Sequence, residues 1–271
     1  MLPLLGLIAL GFAVGAFGTL VGAGGGFLLT PLLLLLYPLE SAATITSISL
    51  AVAFLNALSG SLAYARMRRI DYRSGALFTA AAIPGAAVGA LATRWVPRDY
   101  FNGIFGAVLI AAASYLLTRG DSDRRSGSLD ERSQTLRTVV DWQGTEFAYR
   151  SRPAAGAGLS FAVALLASFL GLGGGIIHVP VLSQVLGFPV QIATATSHFV
   201  LAFAAFAGTV AHIATGEFAR GVHRTLALGV GALIGAQVGA MLSHRIDPKW
   251  ILRCLAAALA LVGVRMLFSL S

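Results

Sequence analysis

Two stretches of this 271-residue chain carry residue types from which an anion site could be built. The first is Gly22-Ala23-Gly24-Gly25-Gly26-Phe27-Leu28-Leu29-Thr30-Pro31, and the second is Gly171-Leu172-Gly173-Gly174-Gly175-Ile176-Ile177-His178-Val179-Pro180. Each interrupts a long apolar run. A glycine inside a helix costs roughly 1 kcal/mol relative to alanine, so three in a row make poor plain helix. They suit a backbone that unwinds and turns the N–H groups of a new helix start toward negative charge. Gly24, Gly25, Gly26, Gly173, Gly174 and Gly175 are therefore the backbone candidates. Neutral donors lie in the neighbouring apolar stretches: Thr30, Thr44, Thr46, Ser47, Ser49, Asn56 and Ser59, then His178, Thr194, Thr196, Ser197, His198, Thr209 and Gln237. Glu40, Asp71, Asp99, Glu217 and Asp247 all stand at edges or in loops. Donors without acids describe a small-anion site and argue against a carboxylate proton relay or a carboxylate-held cation.

Each of these features also has a plainer explanation. A glycine triplet also lets helices pack closely. Serine and threonine in apolar helices commonly bond back to their own backbone. Thr46-Ser47 and Thr196-Ser197 rank above the other hydroxyls because they recur. His178 and His198 could donate to the anion or carry a coupled proton, or could be packing residues. His212, His223 and His244 fall near span ends and read as interfacial.

The elements that must hold these groups are helices in a bilayer. Mean hydropathy is +0.82, and only 11% of residues are charged, against about 25% in soluble domains. Apolar runs near 20 residues recur without two-residue alternation, which reads as a polytopic helical membrane protein and excludes a barrel. The net charge of +8 lies mostly between apolar runs. That is positive-inside topology and no sign of nucleic-acid binding. The single cysteine, Cys254, excludes an internal disulfide framework or a cysteine-based metal site. The uncharged N-terminus reads as a retained membrane segment.

The run from Leu2 to Tyr37 would be about 50 Å long as one helix, against a hydrocarbon core of about 30 Å. A hairpin or broken helix at membrane depth fits it, with Pro31 as an early-turn proline and Pro38 as the stop. Spans over Ser41–Ala65, Ser74–Thr93 and Tyr100–Thr118 follow. Residues 119–153 then carry seven of the 19 cations and six of the 11 acids, a polar and at least partly flexible linker of which Leu136 to Tyr149 could lie on the membrane surface. After it the pattern restarts: a broken run over Ala154–Gly187, then Gln191–Thr215, Thr225–Ser243 and Trp250–Leu270. Gly22, Gly24, Gly25, Gly26 and Pro31 recur at an offset of 149, and Thr46, Ser47, Gly85 and Gly89 at 150. This is an internal duplication: a first repeat over 1–118, a linker over 119–153 and a second repeat over 154–271. Inverted and parallel halves both place 14 cations on one side and 5 on the other, with the linker cytoplasmic in each case. The length argument favours hairpins, and so inverted repeats.

The paired Gly-Xaa-Gly-Gly-Gly…Pro elements, each followed by Ala-Thr-Xaa-Thr-Ser, resemble those of the sulfite exporter TauE/SafE family, the toluene sulfonate uptake permease group. The likeness covers nearly the whole chain outside Arg119 to Pro153. It implies an inner-membrane permease for sulfite, sulfoacetate or other sulfonates. The residues themselves point to a secondary transporter of small anions working by alternating access, with an anion channel or a carboxylate permease as the alternative. No nucleophile stands at a suitable spacing from a base, so an enzyme is not expected. No cofactor is expected either, and no Walker motif is present. Coupling to a proton or a sodium ion, and assembly as a homodimer, stay open.

Overall fold

The structure is a computed structural model that describes residues 4–22, 24–119 and 135–243, and in the C-terminal segment residues 253, 256, 257, 260, 261 and 263–265. The expected last span, the loop before it and Cys254 fall largely or wholly outside the described residues. Five described helices are long and apolar enough to cross a membrane: Leu4–Val21, Ala42–Arg66, Tyr72–Trp95, Val190–Ala214 and Glu217–Ser243. Shorter apolar helices accompany them, and the chain is an all-α polytopic membrane protein.

In the first half the helices are α1 (Leu4–Val21), α2 (Gly26–Leu36), α3 (Ala42–Arg66), α4 (Tyr72–Ala92) and α5 (Arg98–Arg119). In the second they are α6 (Pro153–Phe169), α7 (Gly175–Pro180), α8 (Val190–Ala214) and α9 (Val222–Ser243). Ser41 caps α3 by accepting from Thr44 N–H at 3.1 Å, and Asp71 caps α4 by accepting from the N–H groups of Arg73 and Ser74, the side-chain chemistry that helix starts favour. Pro31 is not in the first turn of α2 but is its sixth residue, because the break ends only at Gly25. It therefore removes one internal hydrogen bond of α2. Its counterpart Pro180 closes α7, and the chain continues as a π-helical turn over Val181–Val185.

Glycine sets the main helix contacts. A Cβ on Gly85 would overlap the carbonyl oxygen of Phe161, and one on Gly89 that of Leu165, so α4 lies directly against α6. In the same way Gly231, Gly235 and Gly239 of α9 meet the backbone of Ile8, Phe12 and Ala16 in α1. Each half thus lays its first helix on the fourth helix of the other half. In both pairs residue numbers rise together, so the helices run parallel. Helices α3 and α8 cross the centre antiparallel, with Thr44 near Glu217, Gly208 near Leu50 and Gly60 near His198.

The hairpins open at opposite ends of α3. The turn after α2 meets Arg98 and Arg224: Arg98 donates to the carbonyls of Leu34 (2.7 Å), Tyr37 and Glu40, and Arg224 pairs with Glu40 at 2.9 Å over the Tyr37 ring. The turn after α7 returns to the other end, where the Phe188 ring lies 4.5 Å from that of Tyr149.

Residues 135–151 of the linker are folded. They form an antiparallel hairpin of β1 (Thr135–Val140) and β2 (Glu146–Ser151) that docks on the turn between α3 and α4. Arg69 donates to Asp141 at 3.1 Å with both side chains buried, Trp142 N–H donates to Met67 O, and Tyr149 OH donates to Asp71 at 2.7 Å. Arg137 and Val139 of β1 and Phe147, Tyr149 and Ser151 of β2 form the more covered face and carry the strand period, which the polar composition of the linker hides. A cleft of about 430 Å3 lies beside β1, between Arg73 and Arg137, on this extramembrane face and away from the glycine breaks. Burial, then the hydrogen bond and charge of Asp71, push the Tyr149 phenol well above its usual range. Burial works against ionised Asp141, but the N–H of Thr145, Arg69 and the N–H of Gln143 outweigh it and hold the carboxyl below the usual range.

Two outcomes follow. Gly89→Val, which drives a side chain into α6, lowers the thermal midpoint of detergent-purified protein by the equivalent of about 3 kcal/mol, whereas Gly158→Val, with open space around it, leaves the midpoint unchanged. Asp141→Asn strips a buried pair of its charge and exposes the hairpin to protease, at a cost of roughly 3 kcal/mol of docking free energy. Because the folded Asp141 titrates below its unfolded value of about 3.9, its stabilisation is complete above that pH and is lost as pH falls through the folded value. Wild-type protection of the hairpin therefore drops in acid, and that of Asp141→Asn stays level.

Candidate functional site

The two breaks adopt the conformation that only glycine takes readily. Gly22, Gly24 and Gly25 have φ of 81°, 74° and 74°, and Gly171, Gly173 and Gly174 have 70°, 76° and 101°. The breaks also lie against one another and against the opposite half. A Cβ on Gly26 would sit 2.7 Å from Leu172 O, and Thr30 Oγ1 donates to Gly171 O at 2.9 Å. Gly171 faces Thr46 of α3, and Gly22 faces Thr194 of α8 and Val179. One side chain reaches both breaks: the Cδ atoms of Leu201 in α8 are the nearest neighbours of a Cβ on Gly24, and also stand 3.2 Å from one on Gly173 and 3.8 Å from one on Gly174.

The backbone donors differ between the breaks. In the first, Gly24 N–H donates to Gly18 O and Gly26 N–H to Gly24 O. In the second, the N–H groups of Gly173, Gly174 and Gly175 donate to no backbone carbonyl among the described residues. A buried N–H without a partner is costly; the first break has one such group among the described residues, Gly25 N–H, and the second has three.

Two polar clusters flank the breaks. Beside the first, Thr19 Oγ1 donates to Asn56 Oδ1 (3.1 Å), Asn56 Nδ2 donates to Gly15 O (2.9 Å) and Ala232 O (3.4 Å), and Tyr64 OH donates to Thr19 O (2.9 Å). His198 Nε2 stands 3.4 Å from Thr19 Oγ1. This network ties α1, α3, α8 and α9 together. Beside the second break, His178 Nε2 and Ser160 Oγ of α6 are hydrogen-bonded at 2.9 Å, both at least nine-tenths buried. They line a void of about 10 Å3 with Gly173, Gly174 and Leu201. The pair has the spacing of a nucleophile and its base. No carboxylate lies in the spans to orient the imidazole, as a hydrolytic triad would require.

The remaining candidates serve other partners. Thr46 and Ser47 bond back to Ala43 O (3.0 Å) and Thr44 O (2.7 Å) of their own helix. Thr196 Oγ1 accepts from Asp71 N–H at 3.1 Å, while Ser197 Oγ, fully buried, has no partner among the described residues. Gln237 Nε2 donates to the carbonyl and hydroxyl of Ser59 at 2.8 Å each, bracing α9 to α3. His212 lies in the last turn of α8, at the span end, with its side chain buried. Ser160 was missing from the sequence reading. The signal for it was present in the offset of 149, which pairs Ser160 with Gly11 and His178 with Leu29. Both are polar only in the second half, and both face the same void.

Comparison with known proteins agrees with this architecture. The chain belongs to the sulfite exporter TauE/SafE family, whose profile matches residues 7–266. It is 28% identical to the probable membrane transporter protein YunE of Bacillus subtilis over 97% of this chain and 96% of that protein. It is 23% identical to a probable membrane transporter protein of Methanocaldococcus jannaschii over 98% and 96%. A probable membrane transporter protein of Xylella fastidiosa is 33% identical over 41% of this chain and 43% of its own. No solved structure matches at a significant level. The protein is thus a multi-pass membrane transporter of this family.

Removing the side chain that joins most of the first cluster has a defined cost. Asn56→Ala leaves Thr19 without its acceptor and lowers stability by about 1–3 kcal/mol, read as a drop in thermal midpoint with the protein still inserted.

Proposed function

We propose that the chain is a secondary transporter of small anions, sulfur oxyanions or short organosulfonates in particular, in which two inverted repeats rock about a site between them. The observation that carries this reading is the meeting of the two glycine breaks around Leu201, with the N–H groups of Gly173 to Gly175 lacking a backbone acceptor among the described residues. Broken helices at matching places in two halves are where transporters of this architecture bind their substrates. Inversion is supported by the hairpins opening at opposite ends of α3. The charge pattern supports a cytoplasmic linker in an inner, plasma-membrane protein, since the basic turn Arg66–Arg73 and the linker hairpin share one face. Sulfur chemistry rests on the family description; the spans contribute donors and no acids, as an anion requires. The tight packing around the breaks favours a carrier over an open channel.

Purified protein in proteoliposomes catalyses saturable counterflow of sulfite or a short alkanesulfonate, and large single-channel currents would exclude the carrier. Gly174→Val, which forces a branched side chain into φ near 101°, abolishes counterflow while the protein still reaches the membrane. Wild-type rates in that variant would remove the second break from the site.

A further inference from the structure

We propose that Leu201 is the lid and size filter of an anion pocket whose polar wall is the Ser160–His178 pair. This rests on the transporter reading above and assigns to it a pocket, a lid and a limit on substrate length. The void beside the second break holds about 10 Å3, room for about one water and too little for a group of one sulfur and three oxygens. Its polar side chains are Ser160 and His178, whose Oγ and Nε2 lie 2.9 Å apart. The other walls are short and apolar, among them Ala82, Val163 and Ala204. An oxyanion head toward Ser160 and His178 with a short apolar tail along those walls is the ligand that this division of surface accepts.

Only one wall can give way far enough. Alanine and valine have little to withdraw, and the glycines have no side chain. Leu201 has two staggered torsions to redistribute, and it stands between the void and the other break. Its Cδ1 faces Gly173 and Gly174, and its Cδ2 faces Gly24. Turning those methyl groups aside widens the void toward the first break, and returning them closes it. The repeat supplies a control on this assignment. The counterpart of Leu201 at the offset of 150 is Ala51, so the lid exists once, in the same half as the Ser160–His178 pair. A leucine needed only to fill the centre of a symmetric bundle would have no reason to accompany that pair.

The test is uptake of sulfite and of straight-chain alkanesulfonates, from methane- to butanesulfonate, by proteoliposomes holding the full chain. Wild-type uptake falls as the chain lengthens. Leu201→Ala raises the ratio of butanesulfonate to methanesulfonate uptake at least tenfold, and Leu201→Phe lowers uptake of every anion at least tenfold. Leu201→Val, a smaller change that keeps the core filled if the alanine variant does not fold, moves the ratio the same way by at least threefold. Ser160→Ala weakens half-saturation for every alkanesulfonate about tenfold and leaves the ratio alone. A ratio within twofold of wild type in the Leu201 variants that insert and transport would overturn the inference while leaving the transporter reading intact. Absence of any anion uptake by the wild type would overturn both.

Discussion

Hydrocarbon offers no hydrogen bonds, so a helix broken inside a bilayer must find partners for its backbone within the protein. The two glycine breaks live under that constraint, and much of the bundle can be understood as the answer to it. Each break is closed over by the opposite half: Gly171 lies under Thr30 and Thr46, and Gly22 under Thr194 and Val179. Such closure needs helices that approach to backbone contact, and the glycine stripes of α4 and α9 provide that approach. What the packing does not satisfy is then informative. Among the described residues the N–H groups of Gly173, Gly174 and Gly175 have no backbone acceptor, whereas in the first break Gly24 and Gly26 have one and Gly25 has none.

The duplicated frame is symmetric, but its polar side chains are not. The contacts of α1 with α9 and of α6 with α4 exchange when the halves are exchanged. Thr19, Asn56, Tyr64 and His198 have the counterparts Ser168, Phe206, Ala214 and Ile48, of which only serine keeps a hydroxyl. Their network crosses four helices, which suits a strut. Ser160 and His178 bond to each other and border empty space, which suits a surface for a ligand. The two halves have divided these tasks while keeping one backbone plan.

Much of this could be read from residue order because the bilayer leaves few solutions. Apolar runs of known length, two glycine triplets and an offset of 149 to 150 yield helices, breaks and halves. Close packing at Gly85 and Gly89 was legible for the same reason, since small residues at that spacing have few other uses in lipid. The destinations of single hydroxyls were not legible. Thr46 and Thr196 occupy matching places, yet one bonds to its own helix and the other to the Asp71 backbone, a difference set by which loop lies above each. The linker hairpin was hidden because its charges mask the strand alternation. Arg69 and Asp141, 72 residues apart, carry no local sign of their pairing. Leu201 was one leucine among many, and only the meeting of the breaks around it sets it apart.

The interlocked placement of α1 and α6 bears on how such a chain could arise. Each half covers the fourth helix of the other with its own first helix, so neither half presents a complete interior by itself. A polypeptide of one half would leave the glycine stripe of its fourth helix facing lipid, where close packing has nothing to act on. It would complete itself only by exchanging first helices with a second copy. Joining the halves in one chain supplies each fourth helix with the first helix it packs against, and the linker that joins them is itself anchored, through Arg69–Asp141 and Tyr149–Asp71, to the turn between α3 and α4.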